Sequence, residues 1–198
     1  MSDWSQLIDT PIGVIARTYH DIDSNRYYHN WIHIQRLLWH AETTLHYAYD
    51  PNLDLAIMFH DSIYDSHPNK ELRSANLFMT VYDGIGPISG VDPDIVYQLI
   101  MDTERHENVR QDERMICLDL ADLSDSVQTE INHQLILDES MALYGITQEQ
   151  FAQNSIPFMQ GLKSRVKNNR DISNDPTFWD AVENGIDQTI ALNLKLLP

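Results

Sequence analysis

Cysteine is almost missing from this sequence. The 198 residues hold one, Cys117, so no internal disulfide can form and a thiolate-rich structural zinc site is excluded. Its apolar surroundings read as those of a packed, inert thiol. Glycine and proline are scarce, 7 and 8 residues that fall mostly where turns are expected, and no linker, repeat or low-complexity run is evident. Basic residues are few: 13 Lys+Arg face 30 Asp+Glu, a formal charge of −17. Polymeric DNA or RNA is therefore not an expected partner, because phosphate backbones are held by Lys and Arg in number. A small phosphorylated molecule stays open, since a metal ion and two or three basic side chains can hold one. No run approaches the ~20 apolar residues of a membrane span. The start, MSDWSQLIDT, has neither the basic region nor the apolar core of a signal peptide. A soluble cytoplasmic protein is expected, with no membrane association.

What remains is globular composition, 42% hydrophobic and 22% charged, at a length that suits one domain over 1–198. Period 3.6 dominates and period two is rare, so the expected fold is an all-α helical bundle of about eight or nine helices. One helix is expected from Arg26, with Tyr27, Trp31, Ile34, Leu38, Ala41 and Leu45 as its stripe. Residues 53–64 are apolar nearly all round, as in a central helix. Further helices are expected over 71–83, over 92–105 (Asp92 and Pro93 at its start), 113–126, 131–144 with Gly145 closing it, from Thr147, and from Asp175-Pro176. The last carries Trp179, Val182, Ile186, Ile190 and Leu194, a stripe that reads as core, with a homodimer contact as the alternative. Trp4 and Trp31 read as core anchors, and ADLSDSVQTE as a solvated acidic edge.

Nine histidines are many for this length. His29 and His33 are four apart and share a face if both are helical, a spacing that suits a metal or a plain surface pair. His40 continues that face. His60-Asp61 closes the apolar run LAIMF, where a carboxylate needs a partner or a water-facing edge. Asp119 has Met115, Ile116, Leu120 and Leu123 at helical spacing, whereas Asp122 has Leu118, Asp119, Asp125 and Ser126. Asp119 is thus the carboxylate expected to need a buried partner. Ile95, Leu99, Thr103 and His106 step by four, four and three, so Thr103 and His106 are expected to point inward. His33, His60-Asp61 and Asp119 form an ordered imidazole and carboxylate set, the ligand types of Zn, Mn, Fe, Co or Ni and, with added water, Mg. Two histidines and two aspartates leave coordination positions open.

The stretches RYYHNWIHI (26–34), LAIMFHDSIYD (55–65), ELRSA (71–75), LIMDTERH (99–106) and DLADLS (119–124) stand in one order over 26–139. In this the sequence resembles the HD-domain metal-dependent phosphohydrolases, and more narrowly their compact bacterial and phage subgroup. The resemblance implies His33, His60, Asp61 and Asp119 as metal ligands, with Asp122 as the fallback, and a divalent cation of unnamed identity. It implies Arg26 and His29 as groups facing the site, and Glu71, Thr103 and His106 as further subgroup positions. His106 would contact phosphate or a second metal. The chain departs from the subgroup at Lys70-Glu71 (usually Asn-Glu), at residues 136–140 (often Ile-Arg-x-Glu-Tyr) and at Gly161-Leu162 (Gly-Arg), so two arginines are missing.

The function expected on this basis is hydrolysis of a nucleotide or small phosphomonoester by a metal-activated water. Asp61 would orient the water, and His29 or His106 would act as proton donor or clamp. Arg26, Lys70, Arg73 and Arg105 are the candidate phosphate-binding cations, alongside Glu71 and Thr103 as substrate contacts. Two rivals stand beside it: a non-catalytic binding protein that keeps the metal site, toward which the lost arginines point, and a di-iron oxygenase using His106 and Glu71 for a second metal.

Overall fold

The computed structural model describes residues 4, 6–21, 25–106, 112–169 and 176–198. Among them the secondary structure is helical, with no strand. Nine α-helices follow one another: α1 (Pro11–Asp21), α2 (Trp31–Thr43), α3 (Pro51–Phe59), α4 (Lys70–Ile85), α5 (Pro93–Asp102), α6 (Arg114–Ala121), α7 (Ser126–Tyr144), α8 (Gln148–Asn169) and α9 (Pro176–Leu194). A 3-10 turn, Asp122–Ser124, joins α6 to α7. This is the all-α bundle expected from the hydrophobic period.

The first long helix starts five residues later than its apolar stripe suggests. Asn30 caps α2, its side-chain oxygen accepting from the backbone N–H of Ile32 (2.9 Å) and His33 (3.4 Å). Residues 26–30 are a non-helical run before it, and Tyr27 is exposed. His29 and His33 therefore do not share a helix face. His33, Leu37, His40 and Ala41 do, and all four are buried.

Helix α3 is the central one. Asp50 caps it, Pro51 opens it, and every residue from Leu53 to Phe59 is buried. It stops at Phe59, short of Tyr64, so His60 is its C-cap and Asp61 lies in the turn beyond. Helix α5 buries Val96, Leu99 and Ile100, while Ile95 is exposed. It ends at Asp102, so His106 does not continue a stripe but lies past the helix with φ 52°. Gly145, at φ 64°, closes α7 as its C-cap. Thr147 and Gln150 form a reciprocal capping box at the start of α8. Asp175, expected to open the last helix, lies outside the described residues.

Two core clusters form. One gathers Trp4, Trp31 and the inner faces of α1 to α5; the other gathers Phe178, Trp179, Val182 and Ile186 of α9 with Leu162 and Val166 of α8. Helix α6 belongs to both, through Met115 and Leu118 on one side and Ile116, Cys117 and Leu120 on the other. Cys117 is buried as expected, and burial pushes its thiol up to about 12. Leu194, expected in the apolar stripe of α9, is exposed. Helix α9 meets the 3-10 turn at Gly185, where a Cβ would lie 1.9 Å from the Leu123 carbonyl oxygen.

Candidate metal centre

Three of the expected ligands come together. One ligand atom each from His33, His60 and Asp61 lies within 4.8 Å of the others. His33 comes from α2, His60 from the end of α3 and Asp61 from the following turn. Both histidines are buried, and in each the far ring nitrogen is already used. His60 Nδ1 donates to the Ile57 carbonyl (2.9 Å) and His33 Nδ1 to Asp122 Oδ2 (3.3 Å). A carbonyl or carboxylate only accepts, so the proton sits on Nδ1 and the Nε2 lone pair is left in the neutral ring. Those two Nε2 atoms are buried with no hydrogen-bond partner. They stand 3.0 Å (His60) and 3.8 Å (His33) from Asp61 Oδ2. Two buried lone pairs turned toward one carboxylate are a donor set that fits a divalent cation.

The proton is the competing occupant. Burial works against charge on His60, but the Asp61 carboxylate outweighs it and raises the ring to about 9. His33, where burial dominates, is lowered. Asp61 is held well below the usual carboxylate range; burial opposes this, and His60, His29 and His33 together overcome it.

The two aspartates of α6 and its turn have exchanged their expected environments. Asp122 is the buried one, at 2% exposure. It accepts from Tyr28 Oη (2.9 Å), His33 Nδ1 (3.3 Å) and His40 Nε2 (3.2 Å), with Arg36 Nη2 at 3.1 Å. Asp119 is half-buried, its Oδ2 2.6 Å from His106 Nε2 and its Oδ1 3.6 Å from His60 Nε2. The reason is the end of α6 at Ala121: the 3-10 turn swings Asp122 toward α2, whose side chains were not its sequence neighbours. The acidic edge is solvated only at residues 125–127 and at Glu130, and Thr129 is buried.

The other expected groups divide between cavity and scaffold. His29, Lys70, Glu71, Thr103 and His106 line a cavity of about 700 Å³ that also touches His60, Asp61 and Asp119. Lys70 Nζ stands 3.7 Å above the Tyr64 ring. Arg26 is buried away from the cavity, where its guanidinium donates to the carbonyls of Tyr19 (2.8 Å), Asp61 and Ser62 (3.4 Å) and so clamps the turn that carries Asp61. Arg73 is paired with both oxygens of Asp65 (2.8 and 2.6 Å), and Arg105 is exposed.

Sequence reasoning missed Glu139 as a site residue. It is buried on α7, and its carboxylate accepts from His29 Nδ1 (2.5 Å) and from the His29 backbone N–H (3.2 Å). His29 also stacks on Tyr64, ring centroids 3.6 Å apart. Ring and carboxylate together fix His29 with Nδ1 protonated and Nε2 on the open edge. The sequence signal that could have found Glu139 is its place at the Glu of the Ile-Arg-x-Glu-Tyr segment from which residues 136–140 otherwise depart. No protein-family model matches the chain, and no curated protein or solved structure matches it.

Proposed function

We propose that this protein is a metal-dependent phosphohydrolase for a small phosphomonoester. The observation that supports it is the pair of buried, unpartnered Nε2 atoms of His33 and His60 turned toward Asp61 at the wall of a cavity. These three side chains would hold the cation, with Asp119 as a further carboxylate beside His60. A divalent ion bound there supplies Lewis-acid polarisation and a lowered water pKa.

The chain's own residues do the rest. Asp61 orients the attacking water through its second oxygen. His29, aligned by Glu139 through Nδ1, turns Nε2 to the leaving oxygen, where the ring in its imidazolium form would donate a proton. Lys70 offers the cavity's ammonium to the phosphate. His106, braced by Asp119, faces the same space. Arg26 keeps the His60-Asp61-Ser62 backbone in place.

The test is elemental analysis of the purified protein with hydrolysis of a phosphomonoester and nucleotide panel in Mg, Mn, Co, Ni and Zn. Metal-dependent release of phosphate, lost in His60→Ala and Asp61→Ala with helicity retained, supports the reading. Full metal occupancy in both variants overturns the site, and a metal-loaded protein with no turnover on the panel overturns the activity.

A further inference from the structure

The cavity is larger than phosphate binding requires. Its volume, about 700 Å³, lies in the range of pockets that enclose a whole drug-sized molecule. The metal centre occupies one end. The other end runs between two helix faces. On α8, Phe151, Ser155, Phe158, Met159 and Leu162 are spaced by four, three, one and three, a single stripe along one side of the helix. On α7, Thr129, Asn132, His133 and Ile136 form the facing stripe. Hydrocarbon thus dominates this end, with short polar groups between.

Charge is confined to the metal end. Lys70 is the one lysine or arginine lining the cavity among the described residues, against the carboxylates of Asp61, Glu71, Glu104, Asp119 and Asp122. One cation and one metal ion can balance a single phosphoryl group. A triphosphate would place its further charges against those carboxylates or in the apolar end, and both are unfavourable.

The far end also has an oriented polar atom. Asn193 Nδ2 donates to Ser155 Oγ (2.9 Å), which turns its Oδ1 toward His133 Nε2 (3.1 Å). That bond places a proton on Nε2 and makes Nδ1 the acceptor of the neutral ring. No described residue bonds that Nδ1.

We infer that the cavity takes an elongated phosphomonoester: one phosphoryl group at the metal end, and a leaving group that is a mainly apolar alcohol along α7 and α8, with one hydrogen-bond donor meeting His133 Nδ1. This rests on the phosphohydrolase reading for the direction in which the ligand lies. In the reaction the bond between phosphorus and the alcohol oxygen breaks. Water supplies the new oxygen on phosphorus, and a proton goes to the leaving oxygen. The products are inorganic phosphate and the apolar alcohol.

Phosphonates separate binding from turnover, because their P–C bond is not hydrolysed. The experiment measures calorimetric affinities of the Mn-loaded 198-residue protein for methylphosphonate, octylphosphonate and 8-hydroxyoctylphosphonate. Burying even part of seven added methylenes, each contributing up to about 0.8 kcal/mol, should make octylphosphonate bind at least ~30-fold more tightly than methylphosphonate. Met159→Glu, or Phe158→Ser at the exposed rim should the first fail to fold, brings that ratio toward one. His133→Phe lowers the hydroxyoctyl-to-octyl ratio at least ~5-fold. An octyl-to-methyl ratio near one in the wild type, or a large ratio that Met159→Glu and Phe158→Ser both leave intact, overturns the inference. Parallel assays with octyl and methyl phosphate test the enzymatic reading separately. Failure to hydrolyse either one refutes turnover, while the phosphonate ratios still decide what the cavity binds.

Discussion

A carboxylate surrounded by Tyr28, His33, His40 and Arg36, as Asp122 is, can be neither rotated nor protonated cheaply. Burial opposes its charge, and the bonds from His33 and His40 overcome that and hold it far below the usual carboxylate range. Its work is to keep the proton of His33 on Nδ1 and the lone pair on Nε2. Asp122→Asn keeps the shape but offers an N–H₂ where a donor already points. Metal affinity should fall about 10- to 100-fold with the fold retained. A metal titration followed by fluorescence checks this, and unchanged affinity would mean that His33 is oriented without Asp122. A second buried carboxylate carries a different penalty. Asp54 lies inside α3, where burial raises it to about 7 from an ordinary 3.8. Bonds from Tyr49 Oη (3.3 Å) and from the Leu7 backbone favour its charged form, but burial outweighs both. Between those two pH values the unfolded chain releases a proton that the folded chain keeps, so this residue lowers stability as pH rises through the window, with the full cost present above about 7. Asp54→Asn should therefore raise the denaturation midpoint more at pH 8 than at pH 4. Equal shifts at both would show that Asp54 titrates normally.

The site depends on how elements end rather than on their middles. The apolar period showed where helices exist, and the Asp92-Pro93, Thr147 and Gly145 signals located several ends. It misplaced the start of α2, because the apolar stripe runs on through Tyr27 while the Asn30 cap overrides it. It ranked Asp119 above Asp122 because helical neighbours were all that local spacing could supply. The partners of Asp122 come from residues 82 to 94 positions away, and Glu139 stands 110 from His29. Likewise Arg26 matched a motif, yet it is held by backbone carbonyls 7 to 36 positions away and by the ring of His20, which the motif does not report. That His33, His60 and Asp61 stand together was legible; the bracing around them was not. One contact ties this bracing to the tail. Gly185 of α9 lies so close to the 3-10 turn that an alanine Cβ would meet the Leu123 carbonyl at 1.9 Å. The obstacle is backbone, so the helix or the turn must shift, at a cost of about 2 kcal/mol or more. Gly185→Ala should lower thermal stability and, by displacing the turn that carries Asp122, weaken metal binding as well. Loss of stability with metal affinity intact would show that the turn moves as a unit without disturbing His33.

At the scale of the whole molecule, a net charge of −17 makes any cation a stabiliser to some degree. Acidic side chains repel one another, and salt screens them without occupying a particular place. The binding proposed at His33, His60 and Asp61 would differ, because it would be local and saturable and belong to the folded state alone. A ligand at 100 times its Kd adds about 2.7 kcal/mol to stability. For a chain of this size that is a rise in Tm of roughly 5 to 11 °C. The expected result is such a rise on adding Mn or Zn at micromolar to low millimolar concentration, saturating with one transition. Sodium at matched ionic strength should give a smaller, unsaturating rise from screening alone. His60→Ala should keep the screening part and lose the saturable part, whatever its own starting Tm, because each comparison is an increment within one protein. Melting curves with and without each ion in the two proteins supply the four increments. If the metal raises wild type and His60→Ala equally, the cation acts through the acidic surface, and the histidine cluster does not hold it.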